Sequence, residues 1–188
     1  LHLNTRVTAR DLAAFGEVVL ATGIAPRLPE IEGIDHPKVL SYLQAIREPE
    51  RVGKSVAIIG AGGIGFDLAE KLTQDGISAS LNPQKFYEEW GIDADYRDAG
   101  GITEPHPEAS PRQVWLLQRK KSKVGKGLGK TTGWIHRAGL KAKGVAMIPG
   151  VTYRRIDDEG LHVTIGEQDE ILPADTIIIA AGQEPLRD

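Results

Sequence analysis

The chain has 188 residues, with 23 Lys and Arg against 26 Asp and Glu and a net charge of −3, a balance that argues against a dedicated nucleic-acid or anionic-membrane binder. Its 40% hydrophobic and 26% charged residues are those of a globular chain rather than a disordered one, and no apolar run approaches the roughly 20 residues of a membrane-spanning helix. It contains no cysteine, which excludes disulfides, thiolate metal sites, iron–sulfur ligation and a cysteine nucleophile within this chain.

The chain begins at Leu1 in a strand-like stretch, Leu1 to Thr5, and no signal-peptide pattern follows; the expected location is the cytoplasm. It stops at Asp188 shortly after an apolar strand. Both ends read as cut from something longer; a complete small protein with a processed Met is the alternative. Glu17 to Ala21 is a short apolar run closed by Thr22-Gly23 and reads as a buried strand. Pro26, Pro29 and Pro37 then disfavour helix, which makes 27–52 a connector with a short helix near Val39 to Arg47.

Ser55 to Ile59 is the clearest buried strand. Gly60 to Gly65 is a glycine loop, and Ile64 to Gln74 reads as a helix with Phe66, Leu68, Ala69 and Leu72 inward. The 37 residues from Gly76 to Arg112 form a long insert. A structureless loop of that length is uncommon, so the insert is expected to have its own packing, with a helical turn near Gln84 to Trp90. Val114 to Gln118 is a second core strand. Thr132 to Lys143 is a helix ended by Gly144, and Val145 to Ile148 a third strand. Short strands follow near 151–156, 161–165 and 170–172, with Asp157 to Gly160 as a hairpin turn. Thr176 to Ala180 is the last apolar strand. The alternation implies an α/β fold: a Rossmann-like three-layer nucleotide-binding domain with a parallel sheet and a small antiparallel meander.

Gly60-Ala61-Gly62-Gly63-Ile64-Gly65 fits G-x-G-x-x-G between a strand and an amphipathic helix, the context its mechanism requires. Gly60 permits a tight turn, Gly62 lets a diphosphate approach the backbone, and Gly65 lets helix and strand lie close. The helix N-terminus supplies free N–H groups and partial positive charge. A strand–helix turn without a ligand is the bland alternative. At the end of the second strand, where an acid would accept from a ribose 2′-hydroxyl, stand Gln118 and then Arg119-Lys120-Lys121. Such a cluster suits a 2′-phosphate, and one charge-assisted bond favours NADPH over NADH by about ten- to a hundredfold. A solvated basic turn is the alternative. No acid occurs between Glu108 and Asp157, a window that holds 12 of the 23 Lys and Arg, which again suits a polyanionic ligand.

Gly129-Lys130-Thr131 resembles the end of a Walker A loop, but Val124 stands where its first glycine belongs. A basic loop beside the adenosine phosphate, with Thr131 or Thr132 capping the next helix, fits better. Among His2, His36, His106, His136 and His162 no nucleophile–base pair or metal-ligand cluster stands out, so no catalytic or metal-ligating residue is assigned.

The strings at 17–43 (EVVLATGIAPRLPEIEGIDHPKVLSYL) and 56–69 (VAIIGAGGIGFDLA) resemble flavoproteins in which an NAD(P)H domain is inserted into an FAD domain. With EEWGID at 88–93, PRQVWLLQRKKSKVGKGLGKTTGWIHR at 111–137 and ADTIIIAAGQEP at 174–185, the chain resembles the bacterial NADPH-dependent 2,4-dienoyl-CoA reductases. The resemblance implies residues 1–26 as the tail of an FAD domain and 53–180 as an NADPH domain containing the insert at 76–112. Residues 181–188 would begin the return to the FAD domain, with Thr22-Gly23 and Ala181-Gly182 as crossovers. It maps the phosphate loop onto Gly60, Gly62 and Gly65 and the 2′-phosphate cluster onto Arg119 and Lys120. It implies FAD, FMN and a 4Fe-4S cluster in a full protein that reduces dienoyl-CoA in fatty-acid β-oxidation. The barrel, the cluster cysteines and the first glycine loop are absent here, so this segment would bind NADPH and be inactive alone; its partners would be the FAD domain and FMN barrel. A non-catalytic interaction segment with a vestigial loop, or a P-loop domain, are the rival readings.

Overall fold

The computed structural model describes residues 1–186. In chain order its elements are α1 (Ala9–Leu12), β1 (Ile24–Pro26), β2 (Val39–Ser41), α2 (Tyr42–Arg47), β3 (Ser55–Ile59) and α3 (Gly63–Leu72). Then come α4 (Pro83–Trp90), β4 (Gln113–Leu117), α5 (Gly133–Ala142), β5 (Ala146–Ile148), β6 (Val151–Asp157), β7 (Gly160–Ile165), β8 (Gln168–Leu172), β9 (Thr176–Ile179) and β10 (Gln183–Pro185).

A five-stranded parallel sheet, ordered β2-β9-β3-β4-β5, forms the middle layer. Both faces of its strands are covered, so they read as continuous apolar runs. The period of two still divides them. Val56, Ile58, Val114, Leu116 and Ile178 point toward the helices, where they meet Phe66, Leu68, Ala69, Leu72 and Leu140. Ala57, Ile59, Trp115, Leu117, Ile177 and Ile179 point the other way, onto Val151, Ile156, Leu161, Val163 and Leu172 of the antiparallel meander β6-β7-β8. The fold is therefore the expected three-layer α/β arrangement with a small antiparallel appendage. β1 and β10 form a separate two-stranded antiparallel ribbon.

The insert is organised, as its length required. Asn82 caps α4 by accepting from the Lys85 N–H at 3.2 Å, and Gly91 ends the helix in the left-handed region. The buried Asp93 carboxylate then folds the next loop. It accepts the Asp98 N–H at 2.8 Å, the Asp95 N–H at 3.2 Å and the Arg97 guanidinium.

Four local expectations are corrected. Glu17 to Ala21 is not a buried strand: it is coil, with Val19 91% and Leu20 77% exposed, because no strand among the described residues offers it a ladder. Leu1 to Thr5 is likewise not extended into a strand. The helix expected from Val39 starts at Tyr42. Val39 to Ser41 instead pairs in parallel with Ile177 to Ile179, and Ser41 caps the helix by accepting from the Gln44 N–H. Thr132 occupies the cap position of α5 without a side-chain hydrogen bond; the Gly129 carbonyl accepts from Gly133 there instead. Residues 187 and 188 of the expected return segment lie outside the described residues.

Candidate functional site

β3 runs into Gly60 at the carboxyl end of the sheet, the end where open parallel sheets place ligands. Gly60 has φ of +116°, and a Cβ there would stand 2.3 Å from the Ala180 carbonyl oxygen. Only glycine combines that backbone with that contact. Gly65 lies beneath the loop, where a Cβ would reach within 1.9 Å of the Gly60 carbonyl oxygen. Gly62 and Gly63 differ, since a Cβ on either would meet nothing within 4 Å. The first two glycines named serve packing, and the second two border open space. Gly62 also starts α3 without a side-chain cap, so first-turn N–H groups are left for solvent or a ligand.

β4 ends opposite. Gln118 does not face a ligand with its amide: Nε2 donates to the carbonyls of Lys120 at 2.9 Å and Ser122 at 2.5 Å. The Gly150 N–H adds a bond to the Lys120 carbonyl at 3.0 Å. The basic turn is thus a held shape, with the Arg119 and Lys120 side chains exposed.

Between these walls lies a cavity of about 760 Å³. Gly60, Ala61, Gly62, Gly63 and Ile64 line one side, Gln118, Arg119 and Lys120 another, and Ala181 and Gly182, between β9 and β10, a third. Of the residues expected from sequence, Gly65 alone does not line it; its part is to hold α3 against β3. Arg119, Lys120 and Lys126 are the charged lining residues, and the lining holds no Asp or Glu.

Ser122, Tyr153, Ala180, Gln183 and the segment Gly125 to Leu128 also line the cavity. The acid-free basic window pointed to that segment, but nothing local marked Tyr153. Burial raises the Tyr153 phenol well above its ordinary value, opposed in part by the nearby Arg119 charge, so the ring is neutral at physiological pH. The Walker-like end at Gly129-Lys130-Thr131 lies outside the lining. It follows a turn rather than a strand, which removes the P-loop arrangement.

Ala181 and Gly182 are held from below. The Arg27 side chain donates from Nε to the Ala181 carbonyl at 3.1 Å and also through Nη2, while the Arg27 N–H donates to Gly182 at 3.1 Å. Gln183 donates to the Tyr42 hydroxyl at 3.0 Å. Ala181 and Gly182 thus lead into one end of the antiparallel β1–β10 ribbon beside the cavity, and Thr22 and Gly23 flank its other end.

His136 and His162 take side-chain partners away from the cavity. His136 contacts Glu70 at 2.5 Å, joining α5 to α3. His162 contacts Asp157 at 2.8 Å across the β6–β7 hairpin, with Glu159 beside them. Arg155 also pairs with Asp157 at 3.2 Å. Among the described residues no helix is long and apolar enough to cross a membrane.

A model of the family described as "Pyridine nucleotide-disulphide oxidoreductase" matches residues 2–188. A metal reductase of Desulforamulus reducens is 26% identical over 195 residues, covering 97% of this chain and 27% of that protein. A cinnamate reductase of Clostridium sporogenes is 41% identical over 83 residues, 43% of this chain and 12% of that protein. Among solved structures, a 2-naphthoyl-CoA reductase in complex with 2-naphthoyl-CoA superposes with a TM-score of 0.62 at 21% identity. It covers 87% of this chain and 20% of that one. The chain spans about a quarter of the length of the metal reductase that it matches end to end.

Proposed function

The chain belongs to the pyridine nucleotide-disulphide oxidoreductase family, and from that premise we propose that it binds NADPH in the cavity between the glycine loop and the basic turn. The observation that carries this is the lining itself: open space over Gly62 and Gly63 on one side, Arg119 and Lys120 on the other, and no carboxylate. Gly62, Gly63 and Ile64 would hold the diphosphate at the start of α3. Arg119 and Lys120 would hold the 2′-phosphate, Arg through paired hydrogen bonds and Lys as a point charge. A ribose 2′-hydroxyl finds no acceptor carboxylate in the lining, which weighs against NADH.

When bound, NADPH supplies a hydride; the chain supplies position, charge and exclusion of water. In this reading the hydride goes to an FAD carried by residues outside this chain, and residues 1–26 and 181–188 adjoin that FAD domain. The β1–β10 ribbon, which draws both segments together beside the cavity, supports this. A thiolate-held 4Fe-4S cluster does not fit the chain, which has no cysteine, and the resemblance places FMN in a barrel that these residues do not form. Both would belong to other parts of the protein.

The finer reading is a 2,4-dienoyl-CoA reductase-like enzyme acting on unsaturated acyl-CoA in the cytoplasm. The strings quoted above support it, as do relatives named for cinnamate and 2-naphthoyl-CoA. A metal ion is the rival acceptor, because the relative matched end to end is named a metal reductase.

Calorimetric titration with NADPH and, separately, NADH at low salt tests the cofactor. NADPH binding at least about tenfold tighter supports the reading. Equal affinities would remove Arg119 and Lys120 as phosphate readers, and binding of neither would leave an interaction segment with a vestigial loop. NADPH oxidation by the whole protein with a 2,4-dienoyl-CoA, cinnamate or ferric citrate then identifies the acceptor; turnover of ferric citrate alone would sink the acyl-CoA reading.

A further inference from the structure

The segment from Lys123 to Gly133 has the composition of a free basic loop, yet its middle is fastened on several sides. Arg137 of α5 donates from Nη1 to the Gly125 carbonyl at 3.1 Å. Gly125 is buried with φ of +74°, and a Cβ there would stand 2.7 Å from the Phe66 ring. Leu128 packs against the core cluster that contains Phe66, and the Gly133 N–H closes onto the Gly129 carbonyl at 2.8 Å. Between these anchors Lys126 and Gly127 are exposed and line the cavity, whereas Lys121, Lys123 and Lys130 do not.

The position of the anchor decides what Lys126 can reach. Phe66 belongs to the first turn of α3, the turn whose uncapped N–H groups border the cavity. The Gly125–Phe66 contact seats the backbone next to Lys126 against α3, and Lys126 lines the cavity that this turn borders. We propose that Lys126 contacts the diphosphate of the bound dinucleotide, the group that NADPH and NADH share. Arg137 is then a positioning residue that acts on the ligand through the Gly125 carbonyl. The inference rests on the nucleotide reading of the cavity and divides its cations into two sets: the turn distinguishes the cofactors, and the loop holds what they have in common.

Titration of NADPH and NADH into the protein and its Lys126→Ala, Arg137→Gln and doubly substituted variants tests this. Lys126→Ala weakens both cofactors about tenfold and leaves their ratio unchanged. Arg137→Gln weakens both about three- to tenfold, yet changes affinity by less than about twofold in the Lys126→Ala background, because it acts through Lys126. Arg137→Lys, which keeps a donor, restores most of the affinity. The Lys126 side chain makes no hydrogen bond or ion pair among the described residues, so that variant decides the matter even if Arg137→Gln unfolds. Loss of NADPH affinity alone, or unchanged affinity for both, overturns the assignment of Lys126 while the cavity remains a nucleotide site. Additive losses in the double variant overturn the role of Arg137. A wild-type protein that binds neither cofactor overturns the cavity reading and this inference with it.

Discussion

A Cβ on Gly65 would stand 1.9 Å from the Gly60 carbonyl oxygen, so the first turn of α3 lies directly on the end of β3. The obstacle is backbone, which cannot swing aside as a side chain can. Gly65→Ala therefore costs about 1–3 kcal/mol or more through forced separation of helix and strand. Gly63→Ala meets open space in the same turn and leaves stability unchanged or raises it by up to ~1 kcal/mol. It still weakens NADPH binding, because the new methyl enters the cavity. Urea unfolding and cofactor titration of the two variants separate packing from ligand approach.

Arg119 and Lys120 are exposed, and the turn that carries them is held through the Lys120 carbonyl. Arg119→Ala is expected to weaken NADPH about ten- to a hundredfold, with NADH changed by less than about twofold. The preference should also shrink as salt rises, since exposed charges are screened. Parallel titrations at two ionic strengths check both points; an equal loss for the two cofactors would contradict the 2′-phosphate role.

The Asp93 carboxyl is held below its ordinary range, chiefly by the Asp98 N–H and further by Arg97 and the Asp95 N–H, against an opposing effect of burial. A depressed folded pKa contributes stability that is fully present above the unfolded value and lost as pH falls through the folded one. The 92–102 segment should thus stay protected at about pH 5 and open as pH drops below about 4. Hydrogen exchange across that range reports the opening. In Asp93→Asn the segment should be open at both pH values, with the acid dependence gone.

Val19 and Leu20 are largely exposed and unpaired. Replacing both with Ser should change the stability of the 188-residue chain by less than about 0.5 kcal/mol and reduce its self-association, because an exposed apolar run is removed. Thermal melts and light scattering measure the two effects. A loss of several degrees would mean that this run is buried after all.

The elements legible in the sequence are those whose cause is local. β3, its glycine turn and α3 are contiguous, and the apolar run, the glycine spacing and the inward set Phe66, Leu68, Ala69 and Leu72 act within a few residues of one another. The insert helix near Gln84 to Trp90 was expected from the length of its segment, while its cap at Asn82 and its end at Gly91 came from the structure; the hairpin announced itself through Asp157 to Gly160. β2 did not, because Val39 to Ser41 becomes a strand only by pairing with Ile177 to Ile179, far along the chain. The apolar run at 17–21 failed for the opposite reason: its composition suits a strand, and among the described residues no strand pairs with it.

The sequence by itself determined the α/β class, the glycine loop and the position of the basic turn after β4, since backbone conformation at glycine and strand–helix alternation are properties of neighbouring residues. Tertiary structure alone decided that Gln118 shapes the turn instead of facing the cavity, that Tyr153 of the meander forms part of its wall, and that Arg137 and Phe66 hold the backbone next to Lys126 against α3. Those relations join residues on different elements, and no local preference encodes them. They exist only once the parallel sheet has brought the ends of β3, β4 and β9 to one edge.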